Sequence, residues 1–294
     1  MPHVNDKHLL QTARTELGIP LRILREMAGT GRLRIDDQPA GQREFNGLLF
    51  RCLTTTQALN PWDWSVGRSF HDLQSYAQWG AATRSAFLLA TNAPARVAAY
   101  LLPHAHGDRG NAPHERIAGI PGLRLLRASA DSIVLDHLPT GATLELTERR
   151  PGGADQAWIA GQLQLELDTV RRRTRVPLFQ HAALTEHEVT AYGAFHRPSE
   201  LLSSLAARIG LWWELGEWAT LHPKRRNSTL GTLSWSAPQR GGSIVDRLAQ
   251  YPVSIPSASI TVGVTGLRDM NPYLFLGQES LELDEHPGAH RGRL

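Results

Sequence analysis

Apolar residues near the N-terminus recur at helical intervals and predict a pair of short helices. The pattern spans residues 8–27 and is interrupted by Gly18-Ile19-Pro20, which favours a turn. Gly29-Thr30-Gly31 is a helix stop, and the alternating Arg32-Leu33-Arg34-Ile35 is typical of a strand. Residues 9–35 therefore predict a helical hairpin followed by the first strand of a wing.

The pattern up to residue 150 predicts a mixture of helices and strands. The expected elements are a polar loop over residues 36–47, a strand over Leu48–Thr55, a helix over Ser69–Gly80, a strand over Ser85–Thr91 and a helix that begins at Pro94. After a polar loop over residues 103–116, the expected strands are Leu123–Ala128, Ser132–Asp136 and Thr143–Glu148. Pro139-Thr140-Gly141 predicts a hairpin between the last two strands.

The second half of the chain predicts helices first and strands afterwards. One helix is expected over Asp155–Arg175 and another from Pro198 to about Thr220. The expected strands are Thr229–Ser236, Ser257–Thr265 and Tyr273–Leu276. The last residues, 284–294, are polar and glycine-containing, so we expect a disordered tail.

These elements predict an α+β fold of two lobes joined at Pro151-Gly152-Gly153. The N-terminal lobe, residues 1–150, begins with the helical hairpin and continues as mixed α/β structure. The C-terminal lobe, residues 154–283, has helices followed by an antiparallel β-rich segment.

Composition places the chain among ordinary globular proteins, with 41% hydrophobic and 20% charged residues in 294. No apolar run approaches the roughly 18–20 residues that a membrane helix needs, and the N-terminus lacks the basic and apolar regions of a signal peptide. The single cysteine, Cys52, excludes an internal disulfide framework and lies in a predicted strand, where we expect it to be buried. We therefore predict a cytoplasmic protein without a membrane partner.

The basic residues are unusual in kind rather than in number. The formal net charge is only +3, but Lys7 and Lys224 are the only lysines among 31 basic residues. The codon bias of a GC-rich genome would replace lysine by arginine. Arginine also suits bidentate contacts to phosphates and bases, so the bias by itself leaves both explanations open.

The N-terminal hairpin resembles a helix-turn-helix unit with a wing. In such units the second helix enters the major groove and surrounding basic residues hold phosphates. The resemblance implies nucleic-acid contacts by Arg22, Arg25, Arg32 and Arg34. The alternative is a hairpin that only packs, because the second helix has few polar side chains long enough to reach a base.

Two further basic clusters stand near tryptophans in the second half of the chain. The first contains Arg171, Arg172, Arg173 and Arg175, and the second contains Lys224, Arg225 and Arg226. Nucleic-acid grooves combine cations for phosphates with rings for stacking. We expect the clusters to converge on one positive groove, with at least one of Trp212, Trp213, Trp218 and Trp235 on its wall, where Trp213 and Trp218 are the leading candidates. A solvated face above core tryptophans is the alternative.

One short segment has the spacing of metal ligands. His104-Ala105-His106-Gly107-Asp108 resembles the first metal-binding strip of the metallo-β-lactamase hydrolases, in which two imidazoles and a carboxylate hold zinc. The resemblance implies ligation by His104, His106 and Asp108. Arg109 stands where that family usually has histidine, and no later histidine completes the set, so we favour a surface loop and expect no metal or cofactor.

Other catalytic motifs are absent from the sequence. We interpret Glu186-His187-Glu188 as a surface segment, because side chains at i and i+2 diverge on a helix. The predicted function is therefore non-catalytic binding of DNA or RNA, in a subunit of a prokaryotic nucleoprotein complex of the defence or CRISPR type, although no motif identifies that complex. The alternatives are the metal-dependent hydrolase and an enzyme or partner-binding scaffold whose pocket carries no motif.

Overall fold

The secondary structure confirms an α+β fold. The computed structural model describes residues 6–29, 33, 35–54, 73–83, 85–106, 117–148, 158–171, 175–195, 198–214, 219–223, 229–236, 243–262 and 271–286. These residues form the helices α1 Asp6–Leu17, α2 Leu21–Ala28, α3 Ala40–Thr54, α4 Pro94–Leu101, α5 Trp158–Arg171, α6 Glu186–Phe195, α7 Glu200–Ala206, α8 Gly210–Glu214 and α9 Ile244–Leu248, with a 3₁₀ helix at Leu73–Tyr76. The strands are β1 Ala77–Ala82, β2 Phe87–Thr91, β3 His104–His106, β4 Ile117–Ala118, β5 Leu123–Ala128, β6 Ser132–His137, β7 Ala142–Glu148, β8 Arg175–Pro177, β9 Thr220–Pro223, β10 Thr229–Ser236, β11 Ser259–Val262, β12 Pro272–Leu276 and β13 Glu279–His286.

The predicted N-terminal helical hairpin is confirmed as α1 and α2. Gly18 between them has φ +69°, a conformation that glycine adopts without a steric penalty. The predicted wing strand is not found at its described positions, because Leu33 is irregular and Ile35 lies in a turn. Ile35 is buried in the core, so this segment leads inward rather than along a sheet.

Helix α3 occupies the segment for which we predicted a loop over 36–47 and a strand over Leu48–Thr55, so both predictions are wrong. Gln42 and Asn46 are buried one helical turn apart, and the Gln42 side chain donates a 2.9 Å hydrogen bond to Asn46. The Gln42 side chain also accepts a hydrogen bond from the backbone N–H of Thr143. Because these polar residues lie on the buried face, the segment lacks an amphipathic pattern. Cys52 is buried as predicted, but on this helix.

The first sheet has the strand order β1-β2-β7-β6-β5, with β2 and β7 parallel and the other neighbours antiparallel. The predicted strands at β2, β5, β6 and β7, the β6–β7 hairpin and the helix at Pro94 are confirmed. The predicted helix over Ser69–Gly80 is wrong at its described end, which forms the 3₁₀ helix and β1. Every residue of β1 is buried, so it shows no alternation by which a strand is recognised.

The second sheet has the order β11-β12-β13-β10-β9 and is mixed, because the central strands β10 and β13 are parallel. Strand β13 was not predicted, and the disordered tail that we expected from residue 284 is wrong as far as His286, which pairs with Ser236. Residues 287–294 lie outside the described part of the chain. Strands β3, β4 and β8 form a third, small sheet, so the loop predicted over 103–116 is wrong at its start.

Two predicted helices are shorter than expected. The helix predicted over Asp155–Arg175 ends at Arg171, and Arg175 pairs with His106 in the third sheet. The helix predicted from Pro198 to Thr220 is divided into α7 and α8. Leu205 and Ala206 in α7, together with residues from α1, α3 and both larger sheets, belong to one connected hydrophobic core. The predicted boundary at 151–153 lies outside the described residues and stays a prediction.

The break between α7 and α8 contains a buried arginine, Arg208, whose residue is 1% exposed. Its guanidinium makes two 2.7 Å hydrogen bonds to the two carboxylate oxygens of Asp36. It also donates to the backbone carbonyls of Ser204, Val253 and Ser254. A buried charge needs this many partners, because each unsatisfied N–H would cost free energy.

We expect replacement of Asp36 by Ala to lower the free energy of unfolding by about 3 kcal/mol, because it leaves the Arg208 charge buried without a carboxylate. Urea denaturation followed by circular dichroism measures the loss. Asp131→Ala, in the exposed turn before β6, is the control and should change stability by less than about 0.5 kcal/mol. Equal stability of the two variants would contradict the assigned role of Asp36.

Candidate nucleic-acid interface

Helix α2 presents two of the predicted arginines to solvent. Arg22 and Arg25 are exposed, and a spacing of three residues places them on the same face of the helix. Ile23 and Leu24 are buried on the opposite side. Within the described residues, neither arginine has a carboxylate partner. The exposure and shared face that we expected of this pair are thus present.

The carboxylates of the hairpin neutralise only part of the charge of this face. Glu16 of α1 is engaged in an ion pair with Arg247 of α9. Glu26 of α2 is exposed one helical turn after Arg22 and offsets one positive charge, whereas Arg14 at the end of α1 adds a further exposed positive charge. Guanidinium groups stay charged at any pH that the folded protein experiences, so α2 carries a permanent positive face. Arg32 and Arg34 lie outside the described residues, and their roles stay predictions.

The two downstream basic clusters fall largely outside the described residues. Arg171 is exposed at the end of α5, 4.0 Å from the Asp168 carboxylate, which is a weak surface pair. Arg175 belongs to β8, although its side chain is outside the description. The remaining members, Arg172, Arg173, Lys224, Arg225 and Arg226, lie outside it, so their convergence on one groove stays a prediction.

Two of the four tryptophans proposed for the groove wall belong to the core. Trp212 is 0% and Trp235 is 3% exposed, and their rings meet edge to face with centroids 5.8 Å apart. Neither ring can stack with a ligand on an outer surface, so the expectation is wrong for these two. Trp213 is half-buried, and Trp218 lies outside the described residues.

The segment with the spacing of metal ligands, residues 104–108, begins in strand β3, where His104 is buried, and not in a surface loop. His104 is 2% exposed, its Nδ1–H donates a 2.8 Å hydrogen bond to the Leu102 carbonyl, and its ring meets the edge of Phe179. The side chain of His106 and the whole of Asp108 lie outside the described residues. Elsewhere in the described part of the chain, no three histidine, cysteine or acidic side chains are grouped as metal ligands.

His137 is a structural residue. Its Nε2–H donates to the Pro121 carbonyl at 3.1 Å, and its Nδ1 accepts from the Thr140 hydroxyl at 2.8 Å. The ring is packed between Phe45 and Tyr192. With both ring nitrogens engaged, His137 is not a metal ligand.

Glu188 is fully buried, so our interpretation of Glu186-His187-Glu188 as surface is wrong at its third residue. Arg124 of β5 donates to both oxygens of the Glu188 carboxylate, at 2.7 and 3.0 Å. The backbone N–H of Thr185 donates to the same carboxylate, and the Thr185 hydroxyl accepts from the Glu188 N–H. Thr-x-x-Glu before a helix is a capping box, a signal in the sequence that we did not use.

The environment of Glu188 sets the charge of this carboxyl group. Burial by itself would raise the pKa of Glu188, but hydrogen bonds from Arg124, Thr185 and Gly122 and the positive charge of Arg124 outweigh it and lower the pKa below 4.5. The group is therefore ionised at neutral pH and anchors α6 to the first sheet. A carboxylate held in this way has no lone pair directed at solvent and does not act as a general base.

Comparisons with known proteins give no match that would indicate a family. No protein-family model matches it, and no curated protein or solved structure is significantly similar. Among the described residues, no helix has the length and apolar character needed to cross a membrane.

We expect Glu188→Gln to lower the free energy of unfolding at pH 7 by about 3 kcal/mol, because Arg124 loses its buried counter-charge. The ionised carboxylate stabilises the fold above pH 4.5, and this contribution is lost as the pH falls through the lowered pKa. The difference between wild type and variant should therefore shrink below pH 4.5. Urea denaturation between pH 3 and 7 measures it, with exposed Glu186→Gln on the same helix as control. A difference that does not change with pH would contradict this assignment.

Proposed function

We propose that the protein binds nucleic acid without catalysing a reaction, and that α2 is part of the contact surface. The observation that carries the proposal is the exposed arginine pair of α2, Arg22 and Arg25, which has no carboxylate partner among the described residues. An arginine pair that served only to stabilise the fold would be expected to contact an acidic group, as Arg208 and Arg124 do.

Electrostatics favours a polyanion as the ligand of this face. Side chains three residues apart on a helix lie about 5–6 Å apart at Cβ, so the two positive charges repel each other. Phosphates follow one another about every 3.4 Å along the axis of a duplex strand and would neutralise both charges. The buried face, with Ile23 and Leu24, holds the helix to the protein, which supports presentation of a rigid rather than a mobile basic surface.

The α1–α2 hairpin also supports helix-turn-helix binding, in which the first helix braces the second. The segments at 171–175 and 224–226 are proposed to extend the same positive surface. A protein that binds nucleic acid non-catalytically over such a surface is suited to a subunit of a larger nucleoprotein complex. The binding experiment described next distinguishes DNA from RNA as the ligand.

We expect Arg22→Ala and Arg25→Ala each to weaken binding and to reduce the slope of log K against log salt by about 0.9 for duplex DNA or about 0.7 for a single strand. Fluorescence anisotropy with labelled duplex DNA, single-stranded DNA and RNA between 50 and 300 mM salt measures both quantities. Arg127→Ala is the matched control, because Arg127 is exposed on β5, at the edge of the first sheet opposite β1.

Two results would count against the proposal. If the wild-type protein binds none of the three probes at 50 mM salt, nucleic-acid binding is rejected. If it binds but the Arg22 and Arg25 variants resemble Arg127→Ala, α2 is not the contact surface.

The downstream clusters are tested by one combined variant. Replacement of Arg172, Arg173, Arg225 and Arg226 by Ala should flatten the salt slope by up to about four units, because each lost phosphate contact contributes roughly 0.9 for duplex DNA. The same anisotropy titration measures it, after circular dichroism has shown that the variant is folded. An unchanged slope would remove these clusters from the binding surface.

A further inference from the structure

Helix α2 lies on the surface of the protein with one side against the core. Two of its eight residues, Ile23 and Leu24, are buried, and Leu21, Met27 and Ala28 are half-buried. The other side of the helix faces solvent along a length of about 12 Å, at a rise of about 1.5 Å per residue. A helix held in this way presents a rigid ridge to a ligand.

The exposed side of α2 carries an acidic residue beside the two arginines. Arg22, Arg25 and Glu26 are all exposed, and Glu26 follows Arg22 at a spacing of four residues, which places these two side chains on the same face. Opposite charges at this spacing often form an ion pair, but within the described residues neither Arg22 nor Glu26 makes one. All three charged groups are therefore accessible to a ligand.

Glu26 is explained neither by the stability of the fold nor by phosphate binding. It lies in the last turn of α2, where the helix dipole disfavours a negative charge. Its carboxylate repels the phosphates that Arg22 and Arg25 attract, and it cannot donate a hydrogen bond to a phosphate oxygen. A surface that bound only the backbone of a nucleic acid would bind more tightly without it.

The base edges of duplex DNA offer hydrogen-bond donors that a carboxylate can accept from. In the major groove, cytosine presents its N4 amino group and adenine presents its N6 amino group. The adenine amino group lies between two acceptors, N7 of adenine and O4 of thymine, which repel a carboxylate. The cytosine amino group has one acceptor beside it, O6 of guanine, so a carboxylate favours cytosine.

The form of the nucleic acid follows from the same helix. The major groove of B-form DNA is about 12 Å wide and admits an α-helix, whereas the major groove of A-form RNA is too deep and narrow for side chains to read. Single strands are bound by stacking of bases on aromatic rings, and α1 and α2 contain no phenylalanine, tyrosine or tryptophan. B-form duplex DNA is the ligand that suits this helix.

We propose that Glu26 is a specificity-determining residue that accepts a hydrogen bond from cytosine in the major groove of duplex DNA, while Arg22 and Arg25 supply the positive charge that holds the duplex. The inference rests on the proposed function, because it names the ligand class and the selectivity of the same surface. The Glu26 carboxylate weakens binding to every duplex by repulsion, and the hydrogen bond to cytosine offsets this loss only at G·C pairs.

The test measures fluorescence anisotropy of the full chain with three labelled duplexes of about 20 base pairs. Their sequences alternate G with C, inosine with C, or A with T, so every base pair of a duplex presents the same groups. Inosine lacks the 2-amino group of guanine, so the inosine duplex has the major-groove edge of G·C and a minor-groove edge like that of A·T. We expect wild type to bind the G-C and inosine-C duplexes about tenfold more tightly than the A-T duplex.

Substitutions of Glu26 separate repulsion from the hydrogen bond. Glu26→Ala removes both, so it should bind the A-T duplex about threefold more tightly than wild type does and lose the preference for cytosine. Glu26→Gln should prefer the A-T duplex, because a glutamine side chain pairs with N6 and N7 of adenine. Glu186→Gln, at the exposed start of α6, is the matched control and should keep the wild-type preference.

The outcomes separate this inference from the proposed function. A preference for the G-C and inosine-C duplexes that disappears in Glu26→Ala supports it. Equal binding of the three duplexes, a G-C preference that the inosine duplex does not share, or a preference that both Glu26 variants keep overturns it and leaves nucleic-acid binding by α2 intact. Tighter binding of single-stranded DNA or of RNA than of any duplex also overturns it. If no probe binds at 50 mM salt, the proposed function is rejected, and the inference with it.

Discussion

A single buried charge connects three parts of the chain that are distant in sequence. The guanidinium of Arg208 contacts Asp36 ahead of α3, Ser204 in α7, and the carbonyls of Val253 and Ser254. All of these partners are needed together, because burying a guanidinium group that has only some of them costs several kcal/mol of folding free energy. The break between α7 and α8 follows from this constraint, since it brings Arg208 to the point where the three segments meet.

Carboxylates of β13 connect the second sheet to its neighbouring helices in a similar way. Glu279 accepts a 2.9 Å hydrogen bond from the Leu201 N–H at the start of α7. Glu285 accepts from the Ile244 N–H at the start of α9 and from the Trp235 indole. The first N–H groups of a helix have no partner within the helix, and a carboxylate also complements the helix dipole. The acidic character of β13 thus has a structural cause at these two positions, and Asp284 lies 3.2 Å from the ring of His286 on the same strand.

The sequence predicted those elements whose burial alternates and failed where long-range contacts decide burial. Strand β7 follows simple alternation and was located to within one residue. Helix α3 was missed because Gln42 and Asn46 are satisfied by contacts that the local sequence does not reveal. The candidate site shows the same division. Because Ile23 and Leu24 are apolar and bury one side of α2, helical periodicity places Arg22 and Arg25 on the exposed side. The burial of Trp212 instead depends on packing against Phe50 and against a distant strand.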